Sequence, residues 1–189
     1  MIMTGRFTEF LVCPSGKSPK NLKDSIRRIQ NSSLGFRESW LSGEHDDALK
    51  TSEEAFEHLD YVQNEFLRQR DVHKMDAATW SSSPFKTELG SHVGNLINGI
   101  SVSDSNLFIS QAIGSAHLPS GTTTQPLTLE KALNKLKHRD TVKINFSLPE
   151  LGGHKLYILT NGGMGQPASL SEIDMNIFCS VCKAASEHV

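Results

Sequence analysis

The stretch 141–185 constrains the fold most, because two strand patterns, a glycine-rich turn and an apolar helix pattern follow one another there without a gap. Apolar and polar residues alternate through 141–148, which is the period-2 pattern of a strand with one face in water. The next apolar run, Leu156 to Leu159, is continuous and lies between glycine pairs, which predicts a second strand over 155–160 that is buried on both faces. Residues 150–153 then form a hairpin loop of ordinary length. We therefore expect a β-hairpin as part of a sheet.

A glycine-rich turn follows the second predicted strand. Ser169 and Glu172, three residues apart, have the pattern of a capping box and predict a helix that begins near Ser169. A strand, a glycine-rich turn and a helix N-terminus in this order predict an anion site, because the N–H groups of the turn and the positive end of the helix dipole point the same way. The candidate anion-binding residues are Gly162, Gly163, Gly165 and Ser169. The alternative, which we favour, is that the glycines only provide backbone angles with positive φ.

Length and composition predict one cytoplasmic domain. A chain of 189 residues can bury a core without disulfides or metals. Its net charge of −2 gives no long-range attraction to nucleic acid or to anionic membranes. Three cysteines, an odd number, are typical of a reducing compartment rather than of a disulfide framework. No apolar run is long enough to span a bilayer, and residues 1–14 lack the apolar centre of a signal peptide, so no membrane association is expected.

The remaining apolar patterns complete an α+β prediction. Strands are expected at 8–13 and 107–113, and helices at 21–30, 52–75, 89–100 and after Thr128, a predicted N-cap. Loops are expected at 31–43 and 76–84, and a mobile polar loop rich in Ser, Thr, Gly and Pro is expected at 115–126. The predicted fold is therefore a single α+β domain over 1–189, with a small, mainly antiparallel sheet and four or five helices packed on one face.

Charge is segregated in the first third of the chain. Residues 1–43 carry seven Lys and Arg against three acids, whereas residues 44–66 carry eight acids and one lysine. Opposite patches of this kind can lie near each other in the fold or meet across a dimer interface. The sequence also has no nucleophile elbow, no H-E-x-x-H and no kinase signature. We therefore expect a non-catalytic binding or regulatory protein that contacts a protein partner or a second copy; nucleic acid is possible but not favoured.

The alternative function is RNA hydrolysis. Arg68 and His73, predicted near the end of the helix at 52–75, have the spacing of the arginine and histidine in HEPN-type ribonucleases, and the resemblance is confined to this pair. In that family the arginine steadies the phosphate and the histidine acts on the ribose hydroxyl or the leaving group. Gln69 departs from the usual residue after the arginine. The resemblance implies a HEPN-like, metal-independent RNA hydrolase, whereas the plainer interpretation is a solvated helix end.

One cysteine pair has the spacing of a metal half-site. Cys179 and Cys182 form a C-x-x-C motif with His188 beyond it, a pattern that can bind zinc. The pair lies inside a predicted apolar helix, so we favour buried structural thiols. No metal and no other cofactor is expected.

Overall fold

A computed structural model of the protein describes residues 21–140, 143–150, 152–163 and 165–189. In these ranges the chain forms seven α-helices and five β-strands. In chain order they are α1 Leu22–Leu41, α2 His45–Lys74, α3 Ala77–Ser81, α4 Pro84–Leu89, β1 His92–Asn98, α5 Val102–Ile109, β2 Gln125–Thr128, α6 Leu129–Lys137, β3 Ile144–Ser147, β4 Lys155–Thr160, β5 Ser169–Asp174 and α7 Met175–Ala185. The 3₁₀ turn Ser186–His188 follows α7. The strand predicted at 8–13 lies outside the described residues.

The five strands form one sheet in the order β2-β1-β5-β4-β3, and every neighbouring pair is antiparallel. The predicted hairpin is confirmed, because β4 occupies the predicted range and pairs with β3 in a register that places Asn145 opposite Tyr157. The predicted N-cap is also confirmed, since the Thr128 side chain accepts a hydrogen bond from the Lys131 N–H at the start of α6. The α+β class and the antiparallel sheet are therefore confirmed.

Buried residues form a core layer on each face of the sheet. The larger layer joins α1, α2, α4, α6 and α7 to one face, with Phe66 of α2, Leu133 of α6 and Ile158 of β4 among its members. These are five helices on one face, as predicted. The smaller layer lies on the other face and joins Phe108 of α5 to Leu159 of β4. No helix in the described part of the chain is long and apolar enough to cross a membrane.

The helices α1 and α2 are longer than predicted. The expected loop at 31–43 is wrong, because α1 continues to Leu41 and its small polar residues Ser32 and Ser33 are buried on the inward side of the helix. Helix α2 begins at His45 instead of near residue 52, and it has two aspartates in its first turn, where the helix dipole favours acids. The connection between the two helices is only three residues long, so they lie side by side as a helical hairpin.

The helix predicted at 89–100 is wrong, because this segment forms β1, which pairs with both β2 and β5. The register shifts between His92 and Gly94. Val93 and Leu96 consequently reach the same core layer at a spacing of three residues, which imitates a helical pattern.

The strand predicted at 107–113 is also wrong, since this segment overlaps α5. Ser101 caps that helix by accepting a hydrogen bond from the Asp104 N–H at 3.0 Å. Short apolar runs do not distinguish a helix from a strand, and the cap settles the choice here. The predicted loop at 76–84 contains α3 and the start of α4.

The helix predicted to begin at Ser169 begins instead at Met175, because 169–174 is the central strand β5. Residues 169–173 are all buried, so the strand shows no alternation that would reveal it. The actual N-cap of α7 is Asp174, whose side chain accepts hydrogen bonds from the N–H groups of Asn176 and Ile177. The predicted loop at 115–126 ends in β2, and its mobility stays a prediction.

Candidate functional site

A cavity of about 340 Å³ lies between α1, α2 and the β3–β4 end of the sheet. Its walls follow helical spacing on both helices, with Ile29, Ser32, Ser33, Phe36 and Trp40 from α1 and His45, Ala48, Leu49, Ser52, Ala55, Phe56 and Leu59 from α2. The middle of each wall is made of serine and alanine. Small side chains at these facing positions leave the two helices unable to fill the space between them. We call this cavity the aromatic pocket.

Aromatic rings form one end of the aromatic pocket. Phe36 and Trp40 stack with centroids 5.9 Å apart, and Phe146 of β3 meets them edge-on at 4.9 and 4.8 Å. Behind Trp40 lies Gly114, where a Cβ would stand 3.1 Å from the indole Nε1. The three rings therefore hold one another in place, and the absence of a side chain at Gly114 leaves room for the indole.

His154 provides a polar group in this aromatic wall. Its ring stacks on Phe36 at 5.2 Å with an interplanar angle of 10°, and it meets Phe146 edge-on at 5.9 Å. Its Nδ1 shares a hydrogen bond of 2.9 Å with the Ser33 hydroxyl. Burial lowers the pKa of His154 from 6.5 to about 4, and Asp174 offsets this only in part. The imidazole is therefore neutral at physiological pH.

Arg139 closes another side of the aromatic pocket. Its guanidinium carbon lies 4.4 Å from the centroid of the Phe56 ring, and its Nη2 donates to Asp60 at 2.9 Å. Only 11% of this side chain is exposed. Stacking and ion pairing together hold the guanidinium as part of the wall.

The mouth of the aromatic pocket is apolar and has acidic surroundings. Leu49 and Phe56, which line it, are 59% and 48% exposed. His45 lines both the pocket and a shallow depression that holds Asp46 and Asp47. The negative segment recognised in the sequence thus borders this cavity.

A second polar cluster lies on the opposite face of the sheet. The Glu172 carboxylate is largely buried and accepts hydrogen bonds from Asn95 Nδ2 at 2.7 Å and Tyr157 OH at 2.8 Å, with Lys155 Nζ at 3.3 Å. Burial, together with the hydrogen bond to Glu172, raises the pKa of Tyr157. Both carboxylate oxygens have donors, so the cluster ties three strands together.

The structure does not bring Arg68 and His73 together. The Arg68 side chain is 60% exposed and pairs with Glu65 on the same helix, whereas His73 packs against Phe85 at 5.4 Å. Five residues along a helix place two side chains about 140° apart around its axis. Neither residue lines the aromatic pocket. HEPN-like hydrolysis gains no support from this placement and stays a prediction.

The glycine-rich turn lacks the helix N-terminus on which the anion prediction depends, because it leads into β5. Within the turn, Gly163 and Gln166 exchange two backbone hydrogen bonds of 2.9 Å, and of the three candidate glycines only Gly165 has a positive φ, 78°. At Gly162 close packing, and not the φ angle, leaves no room for a side chain, since a Cβ there would lie 3.0 Å from the Ala168 nitrogen. Anion binding at this turn stays a prediction without the helix dipole.

Ser169, the fourth candidate anion ligand, is fully buried in β5. Its hydroxyl lies 2.6 Å from Lys135 Nζ and 2.8 Å from the Thr160 hydroxyl. Burial, and secondly the charge of Lys131, lowers the pKa of Lys135. These contacts place Ser169 in a closed network beneath α6.

Cys179 and Cys182 lie buried in α7, and His188 lies in the final 3₁₀ turn. Burial raises the pKa of Cys179 to about 12 and raises the pKa of Cys182 as well. Among the residues that the structure describes, no group of three or more histidine, cysteine or acidic side chains is placed to hold a metal.

The aromatic pocket is the site that sequence reasoning missed. Its clearest signal is the pair of small-residue stripes on α1 and α2, which becomes visible only when both are recognised as helices. Comparisons of this chain with protein families, curated proteins and solved structures found no match. The function must therefore be argued from the geometry.

Proposed function

We propose that this protein is a non-catalytic binding protein that holds a small, mainly apolar molecule in the aromatic pocket. A cavity of about 340 Å³ is within the range of small-molecule sites, and it is lined by aromatic rings with a few polar groups, as such sites usually are. This cavity is the observation that carries the proposal.

The polar groups of the aromatic pocket suit recognition better than chemistry. Ser33 lies in the interior of α1, where backbone N–H groups are used within the helix and cannot stabilise an oxyanion. Arg139 is engaged by Asp60 and Phe56. Such groups can orient a ligand, and the proposal requires no cofactor. We also propose that the protein is cytoplasmic, which its cysteine usage supports.

The proposal is tested with N-phenyl-1-naphthylamine, a neutral probe that fluoresces strongly when it leaves water. In a Trp80→Phe background, Trp40 is the one remaining tryptophan, so energy transfer to bound probe starts from a residue of the pocket wall. We expect saturable binding at one site. Ala55→Phe, which fills the cavity from the α2 wall, should weaken binding at least about tenfold, because the ring occupies the ligand's space.

Ala78→Phe is the matched control, since Ala78 is exposed on α3 and does not line the cavity. Circular dichroism establishes that both variants are folded. Probe binding that does not saturate, or that is equally tight in Ala55→Phe and the control, would show that the cavity is not a binding site.

Contact with a protein partner or with a second copy is the second candidate function. It is favoured by the exposed apolar side chains Leu49 and Phe56 beside the acids of α2. An interface between this acidic surface and a basic one should weaken when salt rises from about 0.05 to about 0.5 M, because screening shortens the reach of exposed charges. A monomer in light scattering at low salt would eliminate the homo-oligomer.

A further inference from the structure

The hydrogen bond between Ser33 and His154 determines which ring nitrogen of the histidine carries its proton. The Ser33 hydroxyl is buried, and its bond to His154 Nδ1 is the one hydrogen bond it makes with the described residues. Buried hydroxyl groups place their proton on an acceptor, because an unsatisfied buried donor is costly. If Ser33 accepted from Nδ1–H, its own proton would have no acceptor among the residues that the structure describes. Ser33 therefore donates to Nδ1, and the proton of the neutral imidazole is on Nε2.

The Nε2–H group is available to a ligand. It has no hydrogen-bond partner in the described part of the chain. In the described part of the chain, the fully buried side-chain nitrogen and oxygen atoms that lack a partner are Arg37 Nε and Ser171 Oγ. His154 Nε2 is not among them, so this atom keeps some contact with solvent. His154 lines the aromatic pocket, and its ring is fixed by Phe36, Phe146 and Ser33. The donor is thus held in place before any ligand arrives, which reduces the entropy lost on binding.

We infer that the ligand of the aromatic pocket is a neutral aromatic compound with a carbonyl or similar acceptor oxygen, which accepts a hydrogen bond from His154 Nε2. This inference rests on the proposed function. The ring system would lie against Phe36, Trp40 and Phe146, where offset and edge-on packing between aromatic rings is favourable. The hydrogen bond from His154 Nε2 to this oxygen distinguishes the ligand from a purely apolar compound of the same shape.

A carboxylate in place of the neutral oxygen should bind less well. An anion would have to leave water for a mainly apolar cavity. It would also approach past Asp46 and Asp47, which border the depression next to the mouth. The Arg139 guanidinium in the wall is already paired with Asp60, so it offers an anion little compensation.

Three naphthalenes that differ in one substituent test the ligand class. They are 2-acetylnaphthalene, 2-ethylnaphthalene and 2-naphthoate, and each is titrated by displacement of N-phenyl-1-naphthylamine. The quantity measured is the dissociation constant of the ethyl compound divided by that of the acetyl compound. We expect this ratio to fall about fivefold in His154→Phe, which keeps the ring but removes the donor. The naphthoate should bind more weakly to the wild type than the acetyl compound.

Two further variants protect this test against misfolding and indirect effects. The double variant Ser33→Ala/His154→Phe removes the hydroxyl that the single change leaves without a partner, and it should show the same reduced ratio. His117→Phe, on the loop after α5 and outside the aromatic pocket, should keep the wild-type ratio.

The proton position is measured independently of binding. Long-range proton–nitrogen spectra distinguish protonated from unprotonated ring nitrogens, and the His154 signals are those lost in His154→Phe. We expect Nε2 to carry the proton. A proton on Nδ1, an acetyl-to-ethyl ratio equal in wild type and His154→Phe, or naphthoate binding as tight as that of the acetyl compound would overturn the inference while leaving the proposed function intact. Failure of every probe to bind would instead remove the proposed function.

Discussion

The burial of His154 should make the protein less stable in mild acid. Burial lowers the pKa of this side chain from 6.5 to about 4, so the unfolded chain binds a proton there at a higher pH than the folded chain does. The contribution of His154 to the free energy of unfolding is fully present above pH 6.5. It falls as the pH drops toward 4 and stays constant below that value. Each pKa unit corresponds to about 1.4 kcal/mol, so the loss is at most about 3.5 kcal/mol.

The substitution His154→Phe isolates this contribution. Phenylalanine keeps the contacts with Phe36 and Phe146 but does not titrate. At neutral pH the variant should be less stable by about 1–3 kcal/mol, because the Ser33 hydroxyl loses its partner. Between about pH 7.5 and 4.5 the free energy of unfolding should fall less in the variant than in the wild type, by about 2.5 kcal/mol.

Urea unfolding followed by circular dichroism at several pH values gives both curves. Carboxylates with lowered pKa values, such as Glu65, titrate in both proteins and cancel in the difference between them. Ser33→Ala is the matched control, because it removes the hydrogen bond while His154 stays buried, and it should retain most of the wild-type pH slope. Parallel curves for wild type and His154→Phe would refute the lowered pKa of His154, and loss of most of the slope in Ser33→Ala would refute burial as its main cause.

Two other predictions concern close packing. Gly94→Ala should lower the free energy of unfolding by about 3 kcal/mol or more, because a Cβ there would lie 1.9 Å from the Glu172 carbonyl oxygen. Gly35→Ala in α1 should instead raise the free energy of unfolding by about 0.5–1 kcal/mol, because the nearest contact of the added Cβ is 3.4 Å away. Urea midpoints of both variants measure this, and a tolerated Gly94→Ala would contradict the crowding between β1 and β5. Cys179 and Cys182 should resist iodoacetamide at pH 8 in the folded protein and react in denaturant, because burial disfavours the thiolate. Mass spectrometry of their peptide measures the labelling, and rapid labelling of the folded state would contradict the buried placement.

The elements that could be predicted from sequence are those whose signals are local. The β3–β4 hairpin has its alternation, its loop and its flanking glycines within a short stretch, and Thr128 directly precedes the apolar pattern of α6. Each of these signals acts between residues close in the chain, so no partner from elsewhere is needed to interpret it.

The elements that could not be predicted depend on distant partners. β5 lies between β1 and β4 with both faces covered, so its apolar and small residues show no period of two. Its Ser169 and Glu172 imitate a capping box, yet Ser169 contacts Lys135 and Glu172 contacts Tyr157 and Asn95. Tertiary contacts of this kind override local propensity, and they decided the outcome in the centre of the sheet.

The failure to predict the second half of α1 and the failure to foresee the aromatic pocket have one cause. Ser32 and Ser33 resemble loop residues, because serine is a weak helix former and competes for backbone hydrogen bonds. Their value here is their size, since together with Ala48 and Ala55 they leave part of the space between two packed helices unfilled. The last piece of the site, His154, lies 121 residues from Ser33 along the chain and reaches it only through the sheet. In this chain the small polar residues at inward positions of a long helix are therefore the sequence signal of the cavity, and a pattern search for large apolar residues passes over them.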